Sequence, residues 1–185
     1  SRGGDSSNNA DVRGVDRSHT CHLPSGNGTG NSLTLDQITA RGGRFSADDV
    51  SKGVNLGSGW SISNFADSRW TLTDNLQLAH STIDIDGRST LYAGDNVHPT
   101  LAGGTADSLL VNNSGTLDLT NGSGSPGNTL DINGSLASMG GQANLVTRLN
   151  DGGALSNQFT DHINVSGNAS GTTLLNVRLD AASSA

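Results

Sequence analysis

Two carboxylates two residues apart, Asp84 and Asp86 in Thr82-Ile83-Asp84-Ile85-Asp86-Gly87, are the closest approach in this chain to a reactive acid pair. On an extended strand such residues share a face about 6 to 7 Å apart, so with Ile83 and Ile85 inward both acids point to solvent. That spacing could hold Ca²⁺ or act on a glycoside. The plainer reading, which we favour, is an outer face that solubilises the strand and blocks lateral pairing. Asp118 and Asp131 alternate with apolar residues in the same way and fit the same reading.

Other candidate chemistry is weaker. His19-Thr20-Cys21-His22 has metal-ligand residue types, but they are crowded and no second Cys/His pair stands elsewhere to complete a tetrahedron. Gly103-Gly104-Thr105-Ala106-Asp107-Ser108-Leu109 departs from the calcium-binding nonapeptide: Ala106 stands where Gly is needed and Ser108 where Asp is needed. Gly4-Asp5-Ser6-Ser7 lacks the following Gly of a serine-protease nucleophile turn, and no partners can be assigned. Neither a Gly-x-Ser-x-Gly elbow nor a phosphate loop occurs. His80, His98 and His162 stand singly in polar surroundings and read as surface residues. Glycosylation sequons begin at Asn27, Asn112, Asn121, Asn133, Asn164 and Asn168, as readily arises in so Asn- and Ser-rich a chain. We therefore assign no catalytic residue, metal or cofactor. Cys21, being single, excludes an internal disulfide without fixing the compartment.

The elements that must carry these residues are constrained by composition. The 185 residues include 26 Gly; all 17 acids are Asp, and Lys52 is the one lysine. Without Glu and nearly without Lys, the chain lacks what usually fills solvent faces of helices, which argues against a bundle or coiled coil. A net charge of −7 argues against nucleic acid. No apolar stretch approaches the roughly 18 residues of a spanning helix. The opening Ser1-Arg2-Gly3-Gly4-Asp5 shows no signal peptide and suggests a fragment or processed product. With 32% hydrophobic and 3% aromatic residues, burial must come from many small Leu, Ile and Val contributions.

Those aliphatics fall in short alternating runs: Ser32–Leu35, Trp60–Ile62, Trp70–Leu72, Leu76–Leu78, Thr82–Ile85, Leu109–Val111, Thr116–Leu119, Thr129–Ile132, Leu145–Leu149, Ile163–Val165 and Leu174–Leu179. Three- to five-residue strands between Asn-Gly, Gly-Ser and Gly-Gly corners are shorter than sandwich strands usually are. They predict an all-β parallel β-helix, with coils of roughly 20 to 30 residues giving five or six between 32 and 180. Residues 1–31 read as irregular or flexible lead-in, 32–180 as the solenoid and 181–185 as tail, with strands densest over about 108–180. Predicted inward positions are Leu117, Leu130, Ile132, Leu145, Ile163, Val165, Leu175 and Val177. Trp60 and Trp70, in the related segments Gly59-Trp60-Ser61-Ile62-Ser63 and Arg69-Trp70-Thr71-Leu72-Thr73, read as packing residues in preference to a carbohydrate-stacking platform.

From about Trp70 to Asp180 the chain resembles the C-terminal part of bacterial autotransporter passengers of the pertactin and AIDA type. The resemblance rests on an ordered succession: Gly127-Asn128-Thr129-Leu130-Asp131-Ile132-Asn133-Gly134, then Leu145-Val146-Thr147-Arg148-Leu149-Asn150, then Asp161-His162-Ile163-Asn164-Val165-Ser166-Gly167 and Gly171-Thr172-Thr173-Leu174-Leu175-Asn176-Val177. The first roughly 58 residues fit that pattern poorly. The resemblance implies a right-handed β-helix outside a Gram-negative cell, tethered to or released from the outer membrane. It also implies a C-terminal autochaperone that acts as folding nucleus, and a translocator β-barrel as partner that is absent from this chain. The expected function is thus that of stalk and folding nucleus in an adhesin or virulence factor, not an enzyme. The alternatives are a module that itself grips host protein or glycan through Asn, Thr and Trp side chains, and, behind it, a polysaccharide hydrolase or lyase using Asp84 and Asp86.

Overall fold

The computed structural model describes residues 9–13, 32–37, 39–42, 62–72, 75–77, 82–103, 108–122, 124–149, 154, 156 and 158–183. In chain order the first strand is β1 (Asn9–Arg13), within the predicted lead-in, followed by β2 (Ser32–Asp36) and β3 (Thr39–Gly42). Next come β4 (Ile62–Ala66), β5 (Arg69–Leu72) and β6 (Leu76–Gln77), then β7 (Thr82–Ile85), β8 (Thr90–Tyr92) and β9 (Thr100–Ala102). The remaining strands are β10 (Leu109–Asn113), β11 (Thr116–Asp118), β12 (Thr129–Arg148), β13 (Phe159–Thr160), β14 (His162–Val165) and β15 (Ala169–Leu179).

Each strand pairs with the strand one coil away, which makes the fold a parallel β-helix. One face is β1, β2, β4, β7, β10, the middle of β12 and the start of β15. A second is β3, β5, β8, β11, the end of β12 and the end of β15. A third is β6, β9, the start of β12 and β14. The short β13 pairs antiparallel with the end of β12. Along the first face the coil lengths, read from Ser32↔Ile62, Ile62↔Thr82, Thr82↔Leu110, Leu109↔Gly134 and Leu136↔Ala169, are 30, 20, 28, 25 and 33 residues.

The alternation that the sequence displays is realised as an aliphatic interior. In β7, Ile83 and Ile85 are buried while Thr82 and Asp84 are half-exposed, and the same pattern holds across β10 and β11. Since stacked strands repeat at about 4.8 Å, like residues form ladders. Ile83, Val111 and Leu136 stack on the first face; Trp70, Leu91, Leu117 and Ala143 on the second; Leu101 and Ile132 on the third. Apart from Ala143, which is buried beside them, these side chains belong to one continuous core, with Leu136 packed against it. Trp70 meets Phe65 edge-on, with centroids 6.2 Å apart at 64°, a preferred aromatic geometry.

One departure from expectation concerns strand length. Thr129–Ile132 and Leu145–Leu149 read from sequence as separate short strands, yet the first and all of the second except Leu149 belong to β12, which runs 20 residues through all three faces. At its second corner the register with β15 shifts between Met139 and Gly141. Gly140 there has φ +74°, a conformation open to Gly at no steric cost. The bulge turns the chain without ending the ladder. β15 likewise starts at Ala169, earlier than the predicted Leu174–Leu179.

Candidate functional site: the C-terminal coils and their open edge

The polar residues of this fold are organised as ladders between coils. On the second face Asn144 donates from Nδ2 to Asp118 (2.8 Å), and Asn176 donates to Asn144 Oδ1 (3.0 Å) and Gln142 Oε1 (3.1 Å). On the third, Asn164 donates to Asp131 (2.8 Å). On the first, Asn112 donates to Asp84 (2.6 Å) and Asn64 to Thr34 (3.2 Å). Each outward Asp of these three strands is therefore bonded to an Asn one coil on, and the donor always lies in the later coil.

Asp84 and Asp86 do not act as a pair. Asp84 is held by Asn112, whereas Asp86 closes the corner between β7 and β8. The Asp86 carboxylate accepts from the Asp67 backbone N–H (3.2 and 3.1 Å), the Arg88 N–H (3.0 Å) and the Ser89 hydroxyl (2.7 Å). The Ser89 hydroxyl in turn accepts from the Ser68 N–H (2.9 Å), which joins two coils. Burial pushes the Asp86 carboxyl up, but the bonds from Ser89, Asp67 and Arg88 outweigh it and hold the group below its ordinary value.

A buried acid that sequence reasoning did not single out organises the C-terminal coils. Asp161 accepts from the Asn128 N–H (2.9 Å), Asn128 Nδ2 (3.2 Å) and the Val146 N–H (2.7 Å). It lies beside β14 and fastens the start of β12 to its end. Asn128 passes the network on, since its Oδ1 accepts from the Asn96 N–H (2.8 Å) and its Nδ2 donates to Ser125 O (2.8 Å) and Leu119 O (3.2 Å). The signal that could have found Asp161 is the alignment of Asn128-Thr129-Leu130-Asp131-Ile132 with Asp161-His162-Ile163-Asn164-Val165. The pairing brings that alignment about, Thr129 to His162 through Ile132 to Val165.

Arg148 closes the last coil. It forms a salt bridge with Asp180, its Nε donates to the same carboxylate (2.6 Å), and its guanidinium lies 5.8 Å from the Phe159 ring centre. The hydrogen bond from Arg148 holds the Asp180 carboxyl below its ordinary value, against a smaller effect of desolvation and with help from the Arg148 charge.

Of the predicted inward residues, Trp70, Leu117, Leu130 and Ile132 are buried, and Leu145, Ile163 and Val165 are partly buried against the core. Leu175 and Val177 differ. Their register on Ala143 and Leu145 is inward, but they are 59% and 56% exposed, because β15 is paired with β12 alone among the described residues. Leu174 and Leu179 are as exposed, at 58% and 56%. Burial of Trp70 removes it from any stacking platform. Trp60, His19, Cys21, His22 and His80 lie outside the described residues. His98 Nδ1 accepts from the Thr129 N–H at 3.2 Å, so this residue serves the backbone. Among the described residues no group of three or more His, Cys or Asp side chains is gathered as for a metal, and no helix is long and apolar enough to cross a membrane. The latter says nothing of a β-barrel.

Comparison with protein-family models, with curated proteins and with solved structures gives no match.

Proposed function

We propose that this chain is a β-helical stalk segment of a surface-exposed passenger of the autotransporter type, and that its C-terminal coils are the nucleus on which the preceding coils assemble. The observation that carries the nucleus is β12, whose residues pair with both the preceding and the following coil on all three faces. Its ladder with β15, from Leu136↔Ala169 to Thr147↔Leu179, is the longest among the described strands. In a solenoid each coil is stabilised by its neighbours, and folding propagates from whichever coil is stable first. Coils fastened by Asp161 and Arg148 and threaded by one uninterrupted strand supply that start. Each added coil then finds a formed edge. The surface location, the translocator barrel as partner and the role in an adhesin or virulence factor come from the resemblance of the segment running from Trp70 to Asp180.

Refolding kinetics test the nucleus. Leu130→Ala, in β12, and Ile83→Ala, in β7, both empty fully buried positions and should each cost about 2–5 kcal/mol. If β12 forms in the transition state, Leu130→Ala slows refolding by about fivefold or more, whereas Ile83→Ala chiefly speeds unfolding. Equal slowing by the two would overturn the assignment. Antibody labelling of intact cells that carry the native gene tests the location.

A further inference from the structure

The loop between β8 and β9 is held against the start of β12 by a histidine ring that stands where a backbone carbonyl would otherwise be. Asp131 donates its N–H to Pro99 O at 3.0 Å, and residues two apart on a strand address the same neighbour, so the Thr129 N–H points toward the same coil. The acceptor it meets there is His98 Nδ1, at 3.2 Å. An amide N–H can only donate, so Nδ1 carries no proton. The ring proton is then on Nε2, which donates to Asn96 Oδ1 at 3.0 Å. Alongside, the Asn96 N–H donates to Asn128 Oδ1 at 2.8 Å. These bonds hold a strained turn. Asp95, Asn96 and His98 have φ of +62°, +61° and +54°, a left-handed region that is costly for any residue with a Cβ and that persists only where surrounding contacts enforce it. Three of the five left-handed non-Gly residues described lie in this one loop.

We propose that His98 is a pH-sensitive latch: a proton taken up at Nδ1 turns the acceptor into a donor, breaks the bond from Thr129 and releases the β8–β9 loop from the start of β12. Histidine is the side chain whose charge changes between about pH 5 and 8, and the imidazolium has two donors and no acceptor. The ring is exposed, so the proton comes directly from solvent. Nε2 keeps its bond to Asn96, and the break therefore falls between loop and strand. The left-handed residues relax as the loop leaves, which offsets what the bonds lose. The response is a local opening with little change in the thermal midpoint. Among the described residues, the charged and titratable groups around this loop come from several elements. Asp95 lies in the loop itself, against Gly122, and Asp131 is on β12. Asp161 and His162 stand at β14, and Arg178 of β15 reaches Gly124 O at 3.4 Å. His162 pairs with Thr129, so its titration has to be separated from that of His98. The latch does not depend on the stalk or nucleus reading.

The test is nuclear magnetic resonance of the full ¹⁵N-labelled chain titrated from about pH 8 to 5. At the upper end the His98 ring nitrogens should show the tautomer with the proton on Nε2. As His98 takes up its proton, amide protection at Thr129 and Asn96, corrected for the intrinsic pH dependence of exchange, should fall about three- to tenfold, the worth of one hydrogen bond. Protection at Ile83 and Leu117, in the buried core, should hold. His98→Asn tolerates a left-handed backbone and places an acceptor oxygen near the Nδ1 position without titrating, so protection at Thr129 should then be independent of pH. His162→Gln, at an exposed position, should leave the fall intact. The latch is overturned if the neutral ring carries its proton on Nδ1, if His98 titrates with no loss of protection at Thr129, if the fall persists in His98→Asn, or if it vanishes in His162→Gln.

Discussion

Removing the Asp161 carboxylate should cost the C-terminal coils far more than removing any other acid of the described structure. The magnitude follows from what is orphaned. In Asp161→Ala, Asn128 Nδ2 keeps its bonds to Ser125 O and Leu119 O, but the N–H groups of Asn128 and Val146 lose the acceptor they now have at 2.9 and 2.7 Å. A buried donor left unpaired costs about 1–3 kcal/mol, so the two together give a loss of about 2–6 kcal/mol. Asp161→Asn keeps one oxygen and turns an NH₂ toward the other donor, which predicts roughly half that loss. Asp131→Ala is the control. It removes one exposed bond from Asn164, worth about 0.5–1.5 kcal/mol. Urea unfolding followed by amide exchange at Asn128 and Val146 reads the effect locally, as a solenoid that can open coil by coil requires. If Asp161→Ala loses no more than Asp131→Ala, water satisfies both N–H groups and the carboxylate is not what fastens β12 to β14.

The remaining predictions concern packing, corners and pH. Trp70→Ala empties a fully buried position against Phe65 and should lower stability by about 3–5 kcal/mol, read as a shift of the urea midpoint at unchanged slope. Gly171 has φ +82°, and a Cβ there would run into the Ser138 carbonyl oxygen; Gly171→Ala should therefore cost at least the roughly 1–2 kcal/mol of a left-handed non-Gly residue and raise amide exchange in β15 first. Asp86 and Asp180 both sit below their ordinary carboxyl pKa of 3.8. Their stabilisation is therefore complete above that value and is lost as pH falls below it through the depressed folded values. Thermal unfolding should show a drop in midpoint confined to acid below about pH 4, and Arg148→Gln should remove the Asp180 share of it.

What could be read from the sequence is decided by the range of the interaction. Period-2 alternation is local, so the inward parity of Leu130 and Ile132 is visible in five residues, and so is the outward parity of Asp84, Asp118 and Asp131. Whether a second coil covers an inward residue is not local. Leu175 and Val177 have the right parity and remain exposed because nothing described lies beyond β15. The Asp–Asn bonds span 28, 26 and 33 residues, separations set by loops of unequal length, so no fixed offset in the sequence reveals them. Asp161 escapes notice for a related reason. It precedes its strand, outside the alternating run, and its three donors come from Asn128 and Val146, which only the pairing of coils brings together.

The ladders also give physical content to a composition in which every acid is Asp. Stacked coils sit about 4.8 Å apart, and within that gap an Asn amide reaches the Asp of the coil before it when both side chains have a single methylene. Glu in the same place would carry its carboxylate one bond further out, past the amide and into solvent, at the added cost of a longer side chain held still. The same shortness serves the corners, where Asp86 accepts from the N–H two residues on and from the neighbouring coil at once. Lys has no place in either arrangement, since it can donate but cannot accept and pass a ladder on. Asn does both, so an Asn column can be extended without limit, whereas an Asp can only begin one. In the described ladders that include an Asp, the Asp lies on the N-terminal side of its Asn partner, as it must when the ionised carboxylate can only accept and the Asn amide supplies the donor.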